Sequence, residues 1–287
     1  MQLIRMLECS PMTLQLEPVT LTILAVGVVV AVPFCWYGIS ELRLANRILR
    51  SEPNSVLDTT DGGHVELRGM AQPLEADRLC RSPISATPCL AFECEVETLS
   101  SSGTQNSSSW STVYTDQEYV PFRLEDGDGN VLIEPPGADF RLETDAQAKV
   151  DAGTEPPSAV AQFIEETDEV DAQNTGDDRG LLDRFTDTDR RFTERLLVPD
   201  GSVHVFGTAR YDTTVSSAPG QVNAAVGLDE AAYADSRWLR LRHSLMGDPF
   251  IISDSTERQL GLRAGAYGLF SVALGLLAAG IAVFWAF

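Results

Sequence analysis

The side chains with most chemistry to offer are five cysteines and three histidines in 287 residues. Cys9, Cys35, Cys80, Cys89 and Cys94 are separated by gaps of 26, 45, 9 and 5, with no C-x-x-C pair anywhere, and His64, His204 and His243 are scattered. Tetrahedral zinc sites draw on closely spaced thiolate and imidazole pairs, and that spacing is missing. The weak candidates for a metal or redox site are Cys80, Cys89 and Cys94, which fall within fifteen residues, joined by His64 or His204 if the fold brings them together. The competing reading is that the cysteines pack as small hydrophobes and the histidines sit satisfied on strands. Asp126, Asp128 and Asn130 alternate as in a calcium loop, but position six is Val131 where glycine is required and position twelve is Gly137 where a bidentate glutamate is required. No Gly-x-Ser-x-Gly elbow, Walker loop, dinucleotide fingerprint or His-Glu-x-x-His occurs, and Ser82 and Ser85 have no nearby histidine to activate them. The expectation is no catalytic residue, no bound metal and no cofactor.

The elements that must position these residues are strands. His64 to Arg68 alternates polar and apolar, with Gly69 expected to end the strand; Pro83 to Pro88 reads as a rigid bend, and Leu90 to Val96 alternates again. Ser100 to Ser111 is too polar to bury and is expected as a rim loop. Phe122 to Glu125 and Val131 to Ile133 flank an acidic Asp-Gly turn, a strong hairpin signal. From residue 146 to 189 the composition turns acidic, with Ala159, Val160, Phe163 and Ile164 the only compact apolar group, so an insertion that is partly disordered or weakly helical is expected. Arg190 to Val198, the turn Pro199-Asp200-Gly201 and the strand Ser202 to Ala209 read as a hairpin or a helix-turn-strand. Thr213 to Ala232 reads as a loop, Trp238 to Arg242 and Phe250 to Ser253 as closing strands. The fold class is mainly β, a compact β-rich domain of small-barrel or sandwich type.

Two segments frame that domain. Val19 to Gly38 and Ala264 to Phe287 carry no charge and are long enough to span a bilayer. A signal peptide is the rival reading of the first, but it lacks a basic leader and exits through Phe34-Cys35-Trp36-Tyr37. The glycines Gly261, Gly265, Gly268, Gly275 and Gly280 would let another helix approach the second closely, or reflect the ordinary tolerance of membrane helices for glycine. Ser40 to Arg50 forms a short helix, either lying along the headgroups or continuing the first span, and Ser51 to Thr60 leads into the domain as a linker or first turn. Arg43, Arg47, Arg50, Arg258 and Arg263 lie on the domain side of the spans, so by the positive-inside rule the domain faces the cytoplasm and both termini lie outside. The organisation is thus an N-terminus (1–18), a first membrane helix (19–38), a juxtamembrane helix and linker (39–61), the domain (62–263, with its insertion 146–189) and a second membrane helix (264–287), a two-pass protein of the cell membrane.

Net charge is -21, and apart from Arg5, Glu8 and Glu17 every charge lies between the two spans, in residues 39–263, 20 basic against 40 acidic residues, with Lys149 the sole lysine. Such a lysine-poor acidic surface suits high salt and points to a halophilic archaeon. It argues against nucleic acid, which is bound by basic stripes.

Four ordered segments resemble the GIDE domain, named after a mitochondrial E3 ubiquitin ligase in which it sits between two membrane helices ahead of a RING finger. They are Gly69 with Leu79 to Ser85 and Pro88-Cys89; Pro121 to Asp126 with Gly129 to Val131; Glu194 to Leu197 with Gly201 and Val203 to Gly207; and Phe250 to Ser253 before the second span. The resemblance implies ubiquitin or ubiquitin-like transfer, but the cysteine gaps cannot build a RING's two zinc sites. Three readings follow. The first is a membrane-anchored interaction or adaptor module contacting lipids and an unknown protein partner, in one version a ubiquitin-like system component. The second is a transferase-like protein whose RING is supplied by a partner. The third is a hydrolase or metalloenzyme using the cysteines or histidines. The first is preferred.

Overall fold

The computed structural model describes residues 18–50, 53–75, 77–101, 108–167, 188–215, 220–229 and 248–286. The chain divides into two compact units, one made of both terminal segments and the other of Glu52–Thr256.

The second unit is built on a five-stranded barrel. Its strands are β1 (Gly63–Pro73), β6 (Phe122–Glu125), β7 (Asn130–Ile133), β11 (Ser202–Tyr211) and β12 (Gln221–Gly227). β1 pairs antiparallel with β6, β6 with β7 and β11 with β12; β7 and β12 run parallel, and β11 closes the ring antiparallel to β1. Counting barrel strands alone, the order around the ring is 1-2-3-5-4 and back to 1, which is the connectivity of an OB-type Greek-key barrel. β13 (Ile251–Ser253) and β8 (Asp139–Phe140) extend the sheet from β11. Alternation fills the interior: Val65 and Leu67 of β1, Leu124 of β6, Val131 and Ile133 of β7, Val203 and Val205 of β11 and Val226 of β12 share one buried cluster.

Two excursions from the barrel build a second layer. The chain between β1 and β6 supplies the ribbon of β2 (Cys80–Arg81) and β3 (Pro88–Cys89), then β4 (Ala91–Ser101) and β5 (Ser108–Tyr119); the chain between β8 and β11 supplies β9 (Ala146–Val150), helix α2 (Ser158–Glu166) and β10 (Arg190–Leu197). The four longer strands form an antiparallel sheet in the order β5-β4-β10-β9. Val160, Phe163 and Ile164 of α2 cover one face, packing with Phe92, Val96, Phe192 and Leu196.

Several expectations change. Gly69 does not end β1: the strand runs on to Pro73 and changes partner, with Gly63 to Met70 on β11 and Met70 to Pro73 on β6. The glycine is needed because a Cβ there would stand 2.2 Å from the carbonyl oxygen of Glu125. β10 and β11 do not form a hairpin; the Pro-Asp-Gly turn carries the chain from one sheet to the other, with Asp200 at φ 62 and its N–H donating to Ala71 O at 2.8 Å. The loop expected at residues 213–232 contains β12, hidden from pattern reading because Ala224, Ala225 and Val226 are all buried without alternation. The acidic insertion starts as β9, paired with β10, and its apolar group forms α2; residues 168–187 lie outside the described residues. β4 and β5 reach into the serine-rich stretch, pairing through Ser101 and Ser108. The linker contains a 3-10 helix, Val56–Asp61, with a reciprocal capping box between Ser55 and Asp58 and Val56 fully buried. The strand expected at Trp238 to Arg242 lies outside the described residues.

In the other unit α1 (Pro18–Ile48) is continuous, so the juxtamembrane helix is an extension of the first span, and α3 runs over Glu257–Ala286. α3 opens at Glu257, and just ahead of it the Asp254 carboxylate accepts the Glu143 N–H at 2.8 Å and the Ser255 hydroxyl donates to Glu143 at 3.2 Å. Both helices are long and apolar enough to cross a membrane. They pack antiparallel through glycine: a Cβ on Gly38 would meet Gly268 O at 2.7 Å, and one on Gly275 would meet Cys35 Sγ at 2.7 Å and Ala31 O at 3.0 Å. The opposite surfaces expose Phe270, Leu276, Phe284 and Trp285.

Candidate functional site

The cysteines converge in the second layer. Cys80 and Cys89 are register partners on the β2–β3 ribbon, Cys94 is the register partner of Glu194, and all three are buried free thiols. The Cys89 thiol donates a weak hydrogen bond to Cys80 O at 3.7 Å. Glu194, only 1% exposed, is the polar centre of this region. Its Oε1 accepts from the Ser82 hydroxyl, from Ile84 N–H at 3.1 Å and from Ser85 N–H at 3.4 Å, while Ser82 and Ser85 share a 2.9 Å hydroxyl contact. The carboxylate therefore ties the Ser82–Ser85 bend to the centre of β10. Its other oxygen, Oε2, is buried with no hydrogen-bond partner.

This setting quenches thiol chemistry. Burial, reinforced by the Glu118 carboxylate, pushes Cys80 up to about 11. Burial, then Cys80, Glu194 and Glu118, pushes Cys89 up to about 12, and burial with Glu194, Asp116 and Glu95 does the same to Cys94. The thiolate is the nucleophilic and metal-binding form, so at neutral pH these groups behave as small apolar side chains.

His204 and His64 are elsewhere, and His243 lies outside the described residues. His204 on β11 and Glu66 on β1 are both buried, with Nε2 and Oε1 3.0 Å apart and the Phe206 ring centroid 4.7 Å from the imidazole. His64 lies near the start of β1, its Nδ1 3.9 Å from an Asp248 carboxylate oxygen. Neither histidine joins the thiols, and among the described residues no group of three or more His, Cys, Asp or Glu is arranged to hold a metal. The acidic turn is also structural: Asp126 accepts Val56 N–H at 2.7 Å, Asp128 N–H at 2.9 Å and Gly129 N–H at 3.2 Å, and Asp128 accepts the Ser55 hydroxyl at 3.0 Å. The calcium-like spacing thus serves to dock the 3-10 helix.

Sequence reasoning missed Glu194 and Glu66. Glu194 had a signal, a carboxylate between Phe192 and Leu196 on the same face of an alternating strand, where a buried acid needs donors from elsewhere.

The other face of the second sheet is polar. Arg191 forks onto Glu97 through Nε at 2.6 Å and Nη2 at 2.8 Å, and stacks 4.6 Å above the Trp110 ring centroid; Arg195 reaches Glu95 at 3.2 Å. The Arg191 hydrogen bonds hold the Glu97 carboxyl below its ordinary range, whereas burial raises Glu93 against the opposing effect of Arg195. The sheet's two outer strands differ. β9 has five residues and bears Lys149, which bridges Asp151 at 2.6 Å and Asp189 at 3.2 Å. β5 has 12 residues, no basic side chain, and pairs among the described strands with β4 alone. Comparison with known protein families, characterised proteins and solved structures finds no match.

Proposed function

We propose that this chain is a membrane-anchored interaction module of the GIDE type, a β-rich adaptor domain held at the cytoplasmic face by a two-helix anchor, with no catalytic site of its own. The observation that carries the reading is the division of labour along the chain: two helices of membrane length bracket one compact unit whose reactive side chains are committed to holding structure. Glu194 secures a bend, Asp126 docks a helix, and the thiols are buried and protonated. What the domain offers to solvent is a paired-charge face and a strand edge.

The arginines beside the spans favour the cytoplasmic side, and the acidic surface of 40 acids against 20 bases favours a saline cytoplasm and disfavours nucleic acid. Any ubiquitin-like transfer would need a RING from a partner.

The test has two arms. A photo-crosslinkable side chain at exposed Thr115 should trap a discrete protein in native membranes, and its failure to trap anything at several exposed positions of the domain would sink the adaptor reading. A cysteine placed at Ser109 in a chain carrying Cys9→Ser should resist an impermeant thiol reagent in intact cells and react after permeabilisation; labelling from outside would reverse the orientation.

A further inference from the structure

We infer that β5 is an open docking edge that adds an extended, basic strand from a partner protein to the second sheet. This rests on the adaptor reading and assigns it a surface.

A sheet edge presents unpaired backbone donors and acceptors, and proteins ordinarily blunt such edges by shortening them, closing them or charging them with lysine. The rest of this domain follows that practice. The barrel strands close on one another, β8 is two residues long, and β9 is short and carries the only lysine in the chain. β5 does the opposite. It spans 12 residues, six of them β-favouring Trp, Thr, Val or Tyr, with neither proline nor glycine, and eight of the 12 are exposed. Two local features touch its backbone, a bulge at Val113, which is skipped between the Thr112 and Tyr114 pairings, and the Asp116 carboxylate accepting Gln117 N–H at 2.9 Å, and both leave the rest of the edge extended.

The chemistry of the occupant follows from the side chains beside that edge. Tyr114, Asp116 and Glu118 alternate along β5 opposite Val96, Cys94 and Phe92, so they share the α2 side of the sheet. Tyr114 is pinned there by an edge-to-face contact with Phe163 at 5.8 Å. Glu118 is exposed. An added strand places its own side chains across from these, so lysine or arginine at alternate positions would meet Asp116 and Glu118 while main-chain hydrogen bonds supply affinity. A second copy of this chain is a poor occupant, because β5 carries no basic residue to offset those acids.

The experiment uses the full chain in lipid nanodiscs and a fluorescent peptide alternating lysine with valine. Anisotropy should show binding, and hydrogen exchange should show new protection confined to β5. Binding should vanish when lysine is replaced by glutamate or when alternate peptide amides are N-methylated, and should weaken about tenfold or more in the double variant Asp116→Lys/Glu118→Lys. No binding to the unaltered chain, equal binding to the double variant, tolerance of N-methylation, or protection elsewhere would each overturn the proposal. So would β5 protection that rises with the concentration of the chain alone, which identifies a second copy. Retention of a membrane-crosslinked partner by the double variant leaves the adaptor reading standing while the edge proposal falls.

Discussion

The barrel and the four-stranded sheet are assembled from alternating stretches of one chain, yet they solve the same problem differently. The barrel abolishes its edges by closure and fills its interior with aliphatic side chains such as Leu67, Leu124, Val131, Val205 and Val226, all fully buried. The open sheet keeps two edges, builds its core around three thiols and Glu194, and covers its other face with paired charges. Closure leaves the barrel's sheet only the short outer edge of the two-residue β8. The open sheet retains the unpaired backbone and the polar groups, which is why the proposed docking is assigned to it rather than to the barrel.

The largest effect should come from the polar centre of the open sheet. Glu194→Ala takes the acceptor from the Ile84 N–H and the buried Ser82 hydroxyl, leaving Ser85 N–H its 3.2 Å bond to Ser82 Oγ, and should cost about 3 kcal/mol in chemical denaturation. Glu194→Gln keeps one acceptor and should lose less. Equal tolerance of both changes would show that water satisfies the bend and that the two cores are energetically alike. In the barrel the matching weak point is steric: Gly69→Ala drives a Cβ into the Glu125 carbonyl and should cost roughly 1–3 kcal/mol, read from the same denaturation midpoint. A neutral result would mean that β6 is free to move and that closure is softer than the register implies.

The barrel and the sheet were each legible in part, for a physical reason. β1, β6 and β7 carry strict alternation or an Asp-Gly turn, both local signals, and the cluster Ala159, Val160, Phe163 and Ile164 marked α2. β12 was hidden because three consecutive small residues bury together, and the crossing of the Pro-Asp-Gly turn between sheets is a tertiary fact that a turn motif cannot encode. Cys80, Cys89 and Cys94 fall in one buried cluster, whereas His64 and His204 sit on β1 and β11 of the barrel. Glu194 was readable only with the knowledge that its face of β10 is buried.

The thiols give the comparison a signature in alkaline solution. The folded state favours the protonated form of Cys94, pushed up to about 12 from an ordinary 9.0, so the unfolded chain releases that proton first. The stabilisation is complete below pH 9.0 and is lost as pH rises through about 12. Cys94→Ala should therefore flatten the fall of the denaturation midpoint across that window. A substitution confined to the barrel, such as Ile133→Val, should lower the midpoint without changing its slope. An unchanged slope in the cysteine variant would place the thiol in contact with water.

The smallest effect should lie on the polar face, where solvent screens the charges. Glu97 receives two hydrogen bonds from Arg191, whose guanidinium also rests on Trp110, and its carboxyl is held below the ordinary 4.5 chiefly by the hydrogen bonding from Arg191. A depressed carboxyl stabilises the fold above its unfolded pKa and loses that contribution as pH falls through the lower folded value. The acid limb of the stability profile should thus steepen below about pH 4.5 in the unaltered protein and flatten in Glu97→Gln, with a shift smaller than either core substitution. High salt should shrink the difference between the two profiles, because this pair is reached by counterions while Glu194 is not. A large, salt-insensitive effect of Glu97→Gln would break the comparison: the paired-charge face would then be a buried surface with a permanent cover, and the recognition edge would have to be sought on the other side of the sheet.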